Sequence, residues 1–90
     1  MRAAGDGGEL RLGGQVVAEL AAWEAEVWEG GEFVGKALLA SRPNSYYMEH
    51  CRGFQLVLYM GRMDVRGEAV TAVVAEGYLH FHLRRERRNG

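Results

Sequence analysis

Two pairs of adjacent glycines, Gly13-Gly14 and Gly30-Gly31, interrupt stretches in which apolar and polar residues alternate. That arrangement constrains the fold more than any other feature of the chain. Both residues of a two-residue hairpin turn take positive φ, which glycine adopts without steric penalty, so a Gly-Gly pair between alternating runs reads as a β-hairpin. The segment Glu9-Leu10-Arg11-Leu12 alternates into the first pair, and Gln15-Val16-Val17 begins the return strand.

Residues 15–29 admit two readings. As a helix, Val16, Leu20, Trp23 and Val27 fall on one stripe, and the Ala and Glu content favours that state. As a strand, Ala21, Trp23, Ala25 and Val27 face one way and Glu24 and Glu26 the other. The glycine pairs on both sides and the Trp and Val content favour the strand, so two long strands of a hairpin are expected, with Glu32 to Ala40 as partner. Ser41-Arg42-Pro43-Asn44-Ser45 reads as a loop around the one proline, followed by a strand at Tyr46-Tyr47-Met48 and a bend at Gly53. In Phe54 to Met60, Phe54, Leu56, Leu58 and Met60 share one face. Residues 61–67 read as a polar connection, and 68–76, rich in Val and Ala, as a buried strand or a short helix. From Tyr78 to Arg84, Leu79, Phe81 and Leu83 point inward while Tyr78, His80, His82 and Arg84 point outward.

Ninety residues with 48% hydrophobic content make one domain, 1–90, near the lower size at which a single core suffices. Residues 1–8 read as a flexible N-terminal arm and 85–90 as a frayed basic tail. The fold expected is mainly β, an antiparallel β-sandwich or open barrel with at most one short helix. The N-terminus has no signal-peptide pattern, and no apolar run approaches the roughly 18 residues of a membrane helix, so no membrane partner and a cytoplasmic location are expected.

No catalytic constellation, cofactor or metal site is expected. Cys51 is the only cysteine; His50 and Arg52 flank it, but strand neighbours point to opposite faces, and the reading preferred is a small apolar residue. His80 and His82 share a strand face at a spacing that metal sites use, yet two ligands do not make a site. Gly-rich phosphate loops are missing: there is neither GxGxxG nor a Walker lysine.

Small domains often complete their burial by oligomerising. Large aromatics anchor such contacts, which makes Trp23, Trp28, Phe33, Tyr46 and Tyr47 the candidate interface with further copies of the chain. Charge adds to this: Met1 to Ser41 holds three basic and seven acidic residues, and the remainder eight arginines and five acids, a polarity suited to head-to-tail contact. Arg84, Arg85, Arg87 and Arg88 are candidate anion-binding residues. With the Tyr46-Tyr47 aromatics they define an alternative, a small RNA- or protein-binding module.

The stretch from Gly8 to Val27, with Val17-Ala18-Glu19 after a tight turn and then Trp23-Glu24-Ala25-Glu26, resembles the opening of the tail tube (tail core) proteins of contractile-tailed phages and prophages. Phe54 to Tyr59 is similar to a later apolar strand of that family, whereas the chain from Gly61 onward is shorter than the family pattern. The resemblance implies hexameric rings stacked into a tube, with self and other tail proteins as partners, in a virion or tail-like particle. It also implies a channel for DNA, for which Glu24, Glu26 and Glu29 are the candidate lining, since acidic walls repel phosphates and let DNA slide.

Overall fold

The computed structural model describes residues 1–41 and 52–86. These form seven strands and no helix: β1 (Arg2–Gly5), β2 (Gly8–Leu12), β3 (Gln15–Trp28), β4 (Glu32–Leu39), β5 (Gln55–Met60), β6 (Met63–Ala75) and β7 (Tyr78–Arg85). Every pairing is antiparallel, in the order β1-β3-β2-β5-β6-β7-β4, and a further β3–β4 pairing closes six of the strands into a barrel. The all-β antiparallel expectation therefore holds, and the barrel is closed. Closure removes most of the edges that an open sheet would expose.

Both glycine pairs are turns as the sequence indicates. Gly13 and Gly14 have φ of 59° and 83°, and Gly30 and Gly31 have 89° and 82°. Residues 15–29 are strand, but a distorted one. β3 carries an extra residue opposite β4 between Leu20 and Ala22, and another opposite β2, where Leu10 pairs with Ala18 and Arg11 with Val16. Such bulges bend a strand and reverse which residues face inward. Ala18 and Leu20 point into the barrel before the first of these steps; Trp23 and Ala25 do so after it, and Ala21 is left exposed.

The long strands β3 and β6 each serve two neighbours. β3 pairs with β2 and then β1 along one side, and β6 pairs with β5 through its first half and with β7 through its second. One apolar cluster fills the barrel, built from inward residues such as Leu10, Leu56, Leu58, Leu79, Phe81 and Leu83. The alternation read in 54–60 and 78–84 is observed as expected, except that outward-facing Val57 is also buried, between Glu9 and Arg66 in register.

Several expectations are corrected. Arg2–Gly5 is a strand rather than a flexible arm: it pairs with residues 23–26 of β3, and the Met1 carbonyl accepts the Val27 N–H at 2.7 Å. Its small residues permit this, because a Cβ on Gly5 would sit 2.0 Å from the Tyr59 carbonyl oxygen. The connection expected over 61–67 is only a tight turn, with β6 starting at Met63. Residues 68–75 are strand, and their distal part is exposed rather than buried, because β5 ends opposite Glu68. Arg85 ends β7 and belongs to no frayed tail; the following Glu86 N–H donates to the Arg66 carbonyl at 3.0 Å. The strand expected at Tyr46-Tyr47-Met48 lies outside the described residues.

Candidate assembly surface

Five strands in the order β1-β3-β4-β7-β6 form a continuous sheet whose inner face covers the core. Its outer face is organised in cross-strand rows. One row reads Arg2, Glu26, Val34, His82 and Thr71; the next reads Ala4, Glu24, Lys36, His80 and Val73. These rows line a shallow groove of about 540 Å³. A third row, Ala22, Leu38, Tyr78 and Ala75, is apolar. Leu38, Val70 and Val73 are all exposed, Val73 to 59%, and Val74, opposite inward Leu79, is exposed on the other face of β6. Exposed apolar residues grouped on one side of a small domain mark an interaction surface more often than scattered ones do.

The interface aromatics read from the sequence separate into opposite environments. Trp23 is 3% exposed and Phe33 5%, packed edge to face with centroids 6.2 Å apart in the barrel, so neither lines a subunit contact. The Trp23 indole N–H donates to the Tyr59 carbonyl at 3.0 Å, which satisfies the one polar atom that burial would otherwise orphan. Trp28 is 48% exposed and meets His82 edge to face at 5.4 Å. His82 Nε2 lies 2.5 Å from Glu32 Oε1, so the ring, the imidazole and the carboxylate form one surface cluster. Tyr46 and Tyr47 lie outside the described residues.

Glu24 and Glu26 share the outer face, and Glu29 sits in the β3–β4 turn. The face is mixed rather than acidic: Lys36 Nζ lies 4.0 Å from Glu24 Oε1 and 4.9 Å from the Tyr78 ring centroid, and Arg2 is opposite Glu26. Exposed pairs of this kind contribute about 0–1 kcal/mol each and set charge pattern more than stability. Arg84 lies between Glu32 and Glu68 in its row, and Arg85 lines an open cavity of about 750 Å³ that also presents Asp64 and Glu86. Arg66 lines that cavity too and pairs with Asp64 at 2.8 Å, so Arg84 and Arg85 lie in a mixed rather than a purely basic setting; Arg87 and Arg88 lie outside the described residues. His80 and His82 share a face, and among the described residues no cluster of three potential metal ligands occurs.

On the other side of the barrel the Tyr59 hydroxyl donates to Glu9 Oε1, which also meets Arg11 at 3.4 Å. The hydrogen bond to Glu9 first, then desolvation and the Glu9 charge, hold the Tyr59 pKa above its ordinary value. A raised pKa in the folded state means that the stabilisation is complete below about pH 10 and disappears as pH climbs through the folded-state value. Denaturant midpoints at pH 9 and 11 should therefore fall further in the parent than in Tyr59→Phe. Equal falls would show that the Tyr59–Glu9 bond has no part in the alkaline limb.

Sequence reasoning missed the Val-rich part of β6. A signal was present: Val70-Thr71-Ala72-Val73-Val74-Ala75 lacks the alternating polar positions of a strand with one solvated face. Comparison with protein families, with curated proteins and with solved structures finds no match to the chain.

Proposed function

We propose that this chain is a structural protein that works by self-assembly, as one subunit of a ring- or tube-like oligomer, without catalysis. The observation carrying this reading is the apolar strip of Leu38, Tyr78, Ala75 and Val73, beside exposed Val70, on a barrel whose core is already complete. Apolar area left exposed after the core is filled adds no stability to the single chain, and covering it by a second subunit stabilises association. The tail tube likeness of 8–27 supports the same class. The turn and Val17-Ala18-Glu19 fall on the β2–β3 hairpin, Trp23 to Glu26 lie further along β3 between β1 and β4, and Glu24 and Glu26 share one face, where a channel lining would need them. Lys36 and Arg2 temper that acidity.

Replacing both Val70 and Val73 by lysine tests the reading, because both side chains are exposed and the barrel should tolerate the change. Lysines buried against a partner cost several kcal/mol, so association should weaken by about 100-fold or more. Sedimentation should show the parent as an oligomer and the variant shifted to monomer with unchanged far-UV circular dichroism. Negative-stain images of the parent should show rings or tubes. A parent and variant that sediment identically would refute the proposal.

A further inference from the structure

We propose that a second copy of this chain docks edge to edge, with the distal half of β6 in one copy adding to β1 of the next. This rests on the self-assembly reading and specifies its contact. Among the described residues, β1 pairs only with β3, and β6, though paired with β7 as far as Ala75, has no strand neighbour on its opposite, β5-side edge beyond Ala69, whose N–H reaches the Phe54 carbonyl at 2.9 Å. Those two edges bound the same five-stranded sheet at the same height, since Arg2 and Thr71 end one cross-strand row and Ala4 and Val73 end the next. A strand added at either edge continues both rows. Because four antiparallel steps separate them, β1 and β6 run in the same direction, so successive copies in one orientation meet with these strands parallel.

Three observations favour this joint over a symmetric one. The β6 edge, Val70 to Ala75, has no charge and no proline, the devices that commonly protect an edge strand from pairing. Outward Ala4 is small where Val73 is bulky and 59% exposed, so the two fit side by side. Charge adds to this: joining two β1 edges would bring two Arg2 side chains to one joint, whereas joining β1 to the uncharged distal part of β6 does not. A joint between unlike edges repeats, and it closes into a ring or extends as a filament.

Paired cysteines test this. In a Cys51→Ser background, Ala4→Cys with Val73→Cys should give a ladder of covalent multimers under mild oxidation or with a short bis-maleimide, and each single variant should give none. Strand neighbours place Cβ atoms about 4.5–5.5 Å apart, within reach of either chemistry. Covalent dimers from Val73→Cys alone would overturn the inference in favour of a symmetric contact. An oligomer by sedimentation with no ladder would overturn this joint while leaving self-assembly intact, and a monomer would remove both.

Discussion

Trp23→Ala is expected to remove most of the stability of the folded chain. The indole is buried in the barrel, stacked edge to face on Phe33 and bonded to the Tyr59 carbonyl. Removing a buried Trp costs about 3–5 kcal/mol in lost burial and cavity formation, and stranding the carbonyl adds roughly 1 kcal/mol or more. Domains of this size are stable by about 5–15 kcal/mol, usually toward the lower end, so the loss is most of the total. Trp28→Ala provides the control: its ring is half exposed and touches His82, so its change should stay within about 1 kcal/mol. Urea unfolding followed by circular dichroism compares the two. Similar losses in both variants would contradict the placement of Trp23 inside and Trp28 outside.

Gly35→Val should be comparably severe for a different reason. Gly35 lies in the middle of β4, between Ala25 of β3 and Phe81 of β7. A Cβ there would fall 2.0 Å from the Glu24 carbonyl oxygen and 2.6 Å from the Ala25 Cα. Both obstacles are backbone atoms of the neighbouring strand, so no rotamer change relieves the clash and the β3–β4 pairing that closes the barrel must separate. Overpacking a core commonly costs 1–3 kcal/mol, and with rigid backbone as the obstacle about 3 kcal/mol or more is expected. The thermal midpoint reports it, as a drop of more than about 12 °C at 4–8 °C per kcal/mol. A midpoint within a few degrees of the parent would mean that β3 and β4 are not held at this spacing.

Those two residues also show what the sequence could disclose. Alternation marked 54–60 and 78–84 with the correct faces, because neither segment carries an internal register shift. β3 was harder to read. Its bulge between Leu20 and Ala22 moves the inward set from even to odd positions, so Leu20, Trp23 and Val27 acquire the three- and four-residue spacing of a helix while lying on a strand. A helical hydrophobic stripe bounded by glycine pairs can thus be two strand segments of opposite phase. Trp23 and Trp28 are five apart on one strand and so face opposite sides, a relation that was available in the sequence and separates a core tryptophan from a surface one. β1 left no periodic signal, since Arg2-Ala3-Ala4-Gly5 is held by backbone pairing and by its small size rather than by apolar alternation. The exposed apolar patch proposed for assembly was not legible in place: Val73 is exposed because β5 ends short of it, and strand lengths depend on pairings that no local pattern encodes.

The central claim is that the folded barrel keeps apolar surface for copies of itself. Light scattering coupled to size exclusion, on the parent chain across a hundredfold range of concentration, tests it most directly. The account predicts a molar mass that is a multiple of 10.0 kDa and grows or holds as concentration rises. A mass of 10.0 kDa at every concentration, with the far-UV spectrum of a folded β protein, would contradict it.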